Sequence, residues 1–308
     1  MLITVSRLFP YLTALLLGNI WGLTFSLARY ATETGAHPIG LAFWQAAGGG
    51  ALLLIYCLVR RISVPLTFTA ITRYVLVGLL GTALPGTLLF YAADKLPAGV
   101  LAITIALVPM LTYAASWALG IDRFSRLRLS GIVLGFVAIL FIAIPDSSLP
   151  DPSAQGWLLL SLLAAVFYTV ENIVVELYIP ESLDMAGLLA GAMCTAAIMI
   201  LPWVIFLDAF VPVGLPFDAL DATIIAMAFV SSAAYLMYLY LIKSSGAVFA
   251  SMSGYVITLS GVYWGMAFFD ESHSSWVWAA LLLMLAGMAF VTPRDTTNPV
   301  ASDTTDHT

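Results

Sequence analysis

The residue of this chain whose type and position could most directly do chemistry is a carboxylate within an apolar stretch. Between Trp157 and Val170 there are fourteen residues, none of them charged, and at about 1.5 Å per residue they are too short to cross roughly 30 Å of hydrocarbon. A membrane-spanning helix here must therefore carry Glu171 inside it. Because an ionised carboxylate near the centre of such a helix costs on the order of 3 kcal/mol, we expect it to face a cavity or a partner.

Tyr168, Glu171 and Asn172 are spaced at i, i+3 and i+4, which places them on one face of a helix. This face predicts a polar patch that binds a substrate ammonium group or carries a proton. The alternative is equally open: Glu171 lies at the inner interface or pairs with a neighbouring helix. Glu176 is nearer the predicted end of the helix, where we expect a solvated carboxylate.

The elements that must position these residues are apolar helices. Hydrophobic residues make up 62% of the 308-residue chain and charged residues only 9%, which excludes a water-soluble globular domain. We predict an all-α membrane protein with ten transmembrane helices, and ten helices of about 20 residues leave no room for a soluble domain. The predicted spans are Tyr11 to Ala31, Ile39 to Val59, Ile71 to Ala92, Ala98 to Leu119, Leu127 to Ile144, Gly156 to Ile179, Met185 to Leu207, Ala219 to Ile242, Ala247 to Phe269 and Ser275 to Val291.

Positive charges predict how these spans are oriented. With the amino terminus in the cytoplasm, only Arg29 and Lys95 of the 11 Lys and Arg residues fall on the outer side, as the positive-inside rule prefers. Both termini are then cytoplasmic, in a bacterial-type inner membrane. We interpret the carboxylates of the outer loops, among them Asp221, Asp270 and Glu271, as solvated helix ends.

The two halves of the chain repeat a pattern. The spacing from Gly99 to Asp122 differs by one residue from the spacing between Gly246 and Asp270. We therefore predict two five-helix copies, which an odd number of spans inserts with opposite topologies. This arrangement is typical of a carrier that works by alternating access, with a substrate site near the midplane. The predicted repeats are residues 1–146 and 155–293.

Several short motifs together resemble a known family. They are Asn19-Ile20-Trp21-Gly22 with Phe25, the proline of Ala106-Leu107-Val108-Pro109, Gly120-Ile121-Asp122-Arg123-Phe124-Ser125 followed by Gly131 and Gly135, and Asp270-Glu271-Ser272. In their order and spacing, over about residues 10–293, they are similar to the drug/metabolite transporter superfamily and to its ten-helix EamA-type exporters. The chain departs from the family at Asp122, where Glu is usual, and at Gln45, where many members have Arg.

The resemblance implies export of amino acids or other small metabolites through a central cavity, lined mainly by helices 1, 3, 4, 6, 8 and 9. Among the branches of the family, an aromatic-rich, charge-poor cavity is most similar to that of the aromatic amino-acid exporters. The expected partners are then a small neutral or zwitterionic metabolite, the lipid bilayer and, as a candidate coupling ion, the proton.

Other polar and aromatic side chains at membrane depth are candidate binding residues. A Tyr ring offers an apolar face and a hydroxyl to such a substrate, and a buried amide serves either as a helix contact or as a substrate contact. The candidate substrate-binding residues are Asn19, Trp21, Gln45, Tyr91, Tyr168, Glu171, Asn172, Tyr235, Tyr238 and Tyr255. Pro85, Gly86 and Pro109 interrupt the regular backbone hydrogen bonds of their helices and are candidate gating positions.

Other functional classes fit the sequence less well. A phosphorylated substrate would need buried Lys or Arg, and none lies well inside a predicted span. An enzyme is not expected, because His37, His273 and His307 lie in predicted loops or the tail and neither His-Glu-x-x-His nor Gly-x-Ser-x-Gly occurs. A multidrug or cationic-amphiphile efflux carrier is the main alternative, and saturable counterflow would separate either carrier from a channel.

Neither a cofactor nor a metal nor a nucleic acid is an expected partner. Cys57 and Cys194 both lie within predicted spans and suggest neither a disulfide nor a metal cluster. The segment from Asp295 to Thr308 is rich in Thr and Asp and lacks apolar residues to bury. It is predicted to be a disordered cytoplasmic tail.

Overall fold

The computed structural model describes residues 2–121, 123–144, 154–180, 183–251 and 253–290, and every regular element within these ranges is helical. The predicted all-α class is confirmed. A π-helical segment, Leu79–Ala83, joins the helix Phe68–Gly78 to the helix Leu84–Ala93. The helices are α1 (Leu2–Glu33), α2 (Pro38–Arg60), α3 (Phe68–Gly78), α4 (Leu84–Ala93), α5 (Ala98–Ile105), α6 (Val108–Ala118), α7 (Arg126–Ala143), α8 (Gln155–Tyr178), α9 (Met185–Phe206), α10 (Ala219–Ser251), α11 (Ser253–Phe269) and α12 (Ser275–Phe290).

Eight helical segments of the described chain are long and apolar enough to cross a membrane. Two of these segments are composite: α3, the π segment and α4 form one, and α5 with α6 forms another. The last two helices are shorter, with 17 residues in α11 and 16 in α12, or about 24–26 Å at 1.5 Å per residue. Eight of the ten predicted spans thus reach the length that a bilayer needs, and the two-repeat arrangement stays a prediction.

Local sequence decides where some helices begin. Thr67 precedes α3 and its side chain accepts a hydrogen bond from the N–H of Ala70 at 3.3 Å. Asp184 precedes α9 and accepts from the N–H of Ala186 at 2.8 Å. These caps satisfy N–H groups that have no partner within the first turn of a helix.

A proline follows each of the two places where the helix of a span is interrupted. Pro85 is the second residue of α4, immediately beyond the π segment. Pro109 is the second residue of α6, after a break between Ile105 and Val108. Proline has no amide hydrogen and its ring crowds the preceding turn, so each helix restarts where proline is tolerated.

The helices pack against one another through small residues. In the described chain α1 lies against α10 and α11, α2 against α9, and α7 against α12. A Cβ on Gly22 of α1 would lie 2.8 Å from the backbone nitrogen of Gly261, and a Cβ on Gly287 of α12 would lie 2.7 Å from the carbonyl oxygen of Gly131. Such small residues allow the backbones of neighbouring helices to approach closely.

The predicted boundary between the eighth and ninth spans is wrong. The sequence predicts that the eighth span ends at Ile242 and the ninth begins at Ala247, but α10 continues to Ser251 and α11 begins at Ser253. The short polar stretch between the two predicted spans contains no proline, so nothing in it prevents the helix from continuing. Asp122 and the tail from Asp295 to Thr308 lie outside the described residues.

Two carboxylates that were interpreted as solvated helix ends are buried. Asp221 is 4% exposed and accepts a hydrogen bond from the N–H of Asp218 at 3.1 Å, while Asp218 accepts one from the N–H of Asp221 at 2.9 Å. The side chain of Glu271 is also only 4% exposed. In both places backbone N–H groups near a helix start take the place of water, and this is the reason the interpretation fails.

Candidate functional site

The carboxylate of Glu171 lies inside the helix bundle. Glu171 is 4% exposed and stands in the second half of α8. It accepts a short hydrogen bond from the hydroxyl of Tyr235 in α10. In the part of the chain that the structure describes, the ion pairs of Lys and Arg do not involve Glu171. The predicted intramembrane carboxylate is therefore held by a neutral partner on a neighbouring helix.

The π segment contributes the closest backbone to this carboxylate. A Cβ on Gly81 would lie 2.5 Å from Oε2 of Glu171, so no larger residue fits there without displacing the carboxylate. Turns of π-helix often occur at functional sites because they change which residues face inward. Sequence reasoning missed Gly81, and the available signal was a glycine in a leucine-rich run four residues before Pro85.

Aromatic rings from three helices surround the pair. The ring of Trp21 in α1 lies 5.8 Å from that of Tyr235, in a tilted arrangement, and 5.7 Å from that of Tyr238, edge to face. Tyr168 lies one turn before Glu171 on the same face of α8, and Tyr168 and Tyr238 are both near enough for the Glu171 charge to act on them. The structure thus brings together five of the candidate binding residues, with rings at distances typical of aromatic contacts.

The two candidate amides have partners on other helices. Nδ2 of Asn172 donates to the hydroxyl of Thr112 in α6 at 3.2 Å. Nε2 of Gln45 donates to the hydroxyl of Ser231 in α10 at 2.8 Å. Both contacts join helices that are far apart in sequence. Of the two roles expected for a buried amide, a helix contact or a substrate contact, these bonds correspond to the helix contact.

Three other candidates lie elsewhere. The side chain of Asn19 is exposed, and the backbone carbonyl oxygen of Asn19 accepts a hydrogen bond from the hydroxyl of Ser260 at 2.9 Å. Tyr91 stands near the end of α4, with its ring 6.0 Å from that of His37, and ten residues beyond Gly81 it is about 15 Å further along the span. Tyr255 packs against the buried apolar cluster between α5, α7 and α12.

The candidate gating residues occupy the first turns of restarted helices. Pro85 and Gly86 follow the π segment directly, and Pro109 follows the break between α5 and α6. A Cβ on Gly86 would meet no other atom within 4 Å. Unlike Gly81, Gly86 therefore borders open space.

The buried carboxylate of Glu271 lies in the loop between α11 and α12. Burial would by itself raise the pKa of Glu271, but the nearby side chain of His273, hydrogen bonds from the backbone N–H groups of Ala98 and Gly99, and the charge of Arg29 outweigh it and lower the pKa below its ordinary value. Charge-assisted hydrogen bonds of this kind favour the ionised form. Glu271 is therefore held as a carboxylate.

Nothing in the described ranges groups three His, Cys, Asp or Glu residues in a way that could hold a metal ion. Cys57 is buried and Cys194 is half-buried, and both are free thiols. The chemistry of the Glu171 site is accordingly that of one carboxylate, tyrosine hydroxyls and aromatic faces.

Comparison with solved structures supports the fold. A protein of known crystal structure is 19% identical, with a TM-score of 0.64, and the match covers 93% of this chain and 98% of the other. Among curated proteins, the uncharacterized inner membrane transporter YedA of Escherichia coli strain K12 is 27% identical over 282 residues, or 89% of this chain and 87% of YedA. YedA of Escherichia coli O157:H7 matches equally well.

The model of the EamA-like transporter family matches two segments of the chain, residues 8–144 and 155–292. These segments hold nearly all of the described helices, and Gly81 and Glu171, which lie against each other at the site, come from different segments. The resemblance noted from the sequence motifs is confirmed. The chain is a membrane transporter that belongs to the EamA-like transporter family.

Proposed function

We propose that this transporter exports amino acids with neutral, especially aromatic, side chains, and related small metabolites, from the cytoplasm. The observation that carries the proposal is the buried Glu171 carboxylate, which contacts Tyr235 and Gly81 of the π segment, with the ring of Trp21 5.8 Å from that of Tyr235. A carboxylate and aromatic faces in one place suit a ligand that has an ammonium group and an apolar side chain.

The electrostatics favour a positively charged ligand group at this position. A buried carboxylate that has no cationic partner is costly, and among the described residues it is the hydrogen bond from Tyr235 that offsets this cost to Glu171. A substrate ammonium group would supply the missing charge. A proton on the carboxylate would do so in the unloaded carrier, which makes proton coupling a direct consequence of the same site.

Alternating access is the proposed mechanism. The two segments that match the family support a carrier built from two copies, which with five helices each would have opposite topologies. Residues of both copies meet at Glu171, as expected for a site between moving halves. The breaks before Pro85 and Pro109 are where we expect parts of a span to tilt separately.

The proposed orientation places both termini in the cytoplasm, because nine of the eleven basic residues then lie inside. The two exceptions are paired with carboxylates: Arg29 with Glu33 at 2.8 Å, and Lys95 with Asp94 at 2.8 Å. The inner membrane is the proposed location, in keeping with the YedA relatives, which are described as inner membrane transporters.

A second candidate function is efflux of cationic amphiphiles. It is favoured by one observation: in the described part of the site, the interactions of Glu171 are with tyrosines and include no Lys or Arg to receive the carboxylate of an amino acid. A lipophilic ammonium ion needs only the carboxylate and the aromatic faces.

Counterflow in liposomes tests these proposals. Liposomes that contain the purified protein are loaded with unlabelled substrate. Labelled Phe, Trp, Leu or a lipophilic quaternary ammonium ion is then added outside, with and without a pH gradient. We expect saturable amino-acid counterflow that Glu171→Gln abolishes, along with any dependence on the pH gradient. Glu176→Gln is the matched control, since this exposed carboxylate stands five residues later in α8.

The outcomes separate the candidates. Counterflow of the quaternary ammonium ion alone would replace amino-acid export with cationic efflux. Amino-acid counterflow that is unchanged in Glu171→Gln would reject the proposed site. A pH-gradient dependence that survives in Glu171→Gln would reject its role as the proton carrier.

A further inference from the structure

Glu271 has no part in the proposed substrate site, yet its carboxylate has more partners than any other carboxylate of the described chain. Glu271 lies in the loop after α11, and the residues that bind it come from α1, from the start of α5 and from its own loop. We call these residues, Arg29, Ala98, Gly99, Glu271 and His273, the Glu271 cluster.

Each oxygen of the carboxylate has two partners. Oε1 forms a short ion pair with Nη1 of Arg29 and accepts from the N–H of Ala98 at 2.7 Å. Oε2 accepts from the N–H of Gly99 at 3.2 Å and lies 3.3 Å from Nε2 of His273. The first two N–H groups of α5 would otherwise have no partner within the helix, so one side chain ties three segments of the chain together.

The Glu271 cluster is packed without spare room. A Cβ on Gly265 of α11 would lie 2.5 Å from Oε2 of Glu271, and a Cβ on Gly99 would lie 2.8 Å from Nε2 of His273. The His273 and Glu271 side chains are 3% and 4% exposed. Water is therefore largely excluded, and ionic hydrogen bonds are stronger without water to compete for them.

Arg29 is fixed from two further directions. Its Nε donates to Glu33 at 2.8 Å, and its guanidinium lies 4.5 Å from the centre of the Phe269 ring at the end of α11. The planar guanidinium thus bridges α1 and α11 beside the carboxylate. These contacts join α1, the start of α5 and the end of α11 at one end of the bundle.

We propose that Glu271 is a latch that holds this end of the transport pathway closed, and that the end opens only when the carboxylate withdraws from the start of α5 and from Arg29. The proposal rests on the proposed function in one respect, namely that the carrier alternates between states open to either side. In the proposed orientation the latched end is the outer one, so the latch governs release of the exported substrate.

A reporter thiol tests the latch without any substrate. Ser26 lies one turn before Arg29 on the same face of α1, is 2% exposed, and its hydroxyl has no hydrogen-bond partner among the described residues. The nearly isosteric change Ser26→Cys therefore breaks no hydrogen bond seen there. In a background lacking Cys57 and Cys194, the rate of modification by a charged thiol reagent measures how often this end opens.

We expect Glu271→Gln to raise the modification rate at least about tenfold, because it removes one charge of a buried, hydrogen-bonded ion pair. Arg29→Gln should raise the rate in the same direction without touching the start of α5, and it provides the test should Glu271→Gln fold poorly. Asp270→Asn is the matched control: Asp270 is exposed, its φ is 49°, and Asn tolerates that left-handed backbone well.

Equal modification rates in Glu271→Gln, Arg29→Gln and Asp270→Asn would overturn the latch. An increase in the first two variants alone would establish it, whatever the counterflow assays show about substrate. Conversely, loss of counterflow in Glu171→Gln with unchanged thiol reactivity would concern the substrate site only. The two proposals therefore fail separately.

Discussion

Replacing Gly81 by Ala probes the geometry of the Glu171 site with a single methyl group. The new Cβ would lie 2.5 Å from Oε2 of Glu171, far inside van der Waals contact. Inserting a methyl group into a well-packed region typically costs about 1–3 kcal/mol. The carboxylate must move away from Tyr235 or the π segment must shift, and either change alters the site.

Gly86→Ala is the matched control for this change. It lies five residues later in the same span, and its Cβ would meet nothing within 4 Å. Both substitutions gain up to about 1 kcal/mol from the higher helix propensity of Ala. The difference between the two variants therefore isolates the collision with Glu171.

The assays are thermal unfolding in detergent and substrate counterflow. We expect Gly81→Ala to be less stable than Gly86→Ala by about 1–3 kcal/mol, and its apparent substrate affinity to be lower by roughly 5- to 150-fold, the equivalent of that free energy. The double variant Gly81→Ala/Glu171→Asp should recover stability, because the shorter acid leaves room for the methyl group. Non-additivity of this kind is the sign of a direct contact.

The reasoning would be refuted if Gly81→Ala unfolded and transported like Gly86→Ala. It would also fail if Glu171→Asp lowered stability equally in both backgrounds, since the methyl group and the carboxylate would then not interact. A loss of transport with unchanged stability would place the effect on gating of the span and not on the packing of Glu171.

Three further predictions concern single contacts. Tyr235→Phe should lower the free energy of unfolding by about 0.5–1.5 kcal/mol, the net value of a hydrogen bond to a carboxyl group that is protonated when no substrate is bound, and an unchanged unfolding midpoint would show that its bond to Glu171 contributes nothing. Gln45→Leu should cost about 1 kcal/mol of stability and leave counterflow intact, whereas lost counterflow in a stable variant would make Gln45 a substrate contact. For Glu271, whose pKa is lowered on folding, the stabilisation is fully present above the ordinary carboxyl pKa of about 4.3 and is lost as pH falls through the lower folded value. The stability difference between the wild-type protein and Glu271→Gln should therefore shrink as the pH falls below about 5, and a difference that stayed unchanged down to about pH 3 would contradict this assignment.

Much of the fold follows from apolar run length. Most predicted span ends lie within three residues of the observed ones, because a long apolar segment has few alternatives to a membrane helix. The depth of Glu171 followed from the same argument, since too few residues precede it to cross the bilayer. The boundary after Ile242 failed because a short polar stretch without proline can remain helical.

The contacts that specify the site were harder to predict. Gly81 was missed because a helical periodicity assumes one regular turn after another, and a π turn breaks that rule without an obvious sequence mark. Glu271 was missed because its partners are far away in sequence, 242 residues for Arg29 and 173 for Ala98. A loop carboxylate looks the same in sequence whether water or a helix start binds it.

The π segment also sets the rotational phase of one span. A π turn accommodates one more residue than an α turn, so each residue of α4 lies about 100° less far around the helix and about 1.5 Å less far along it than in a regular continuation of α3. The buried faces on either side, Tyr74 and Val77 before the segment and Phe90 after it, therefore belong to two different helical registers. Deleting one residue between Leu79 and Ala83 would let the span continue as a regular α-helix with both faces still turned inward, because a π turn holds its extra residue without shifting the helices on either side. The deletion would instead remove the wider turn that brings Gly81 against Glu171, so the shape of the backbone beside the carboxylate depends on that one extra residue.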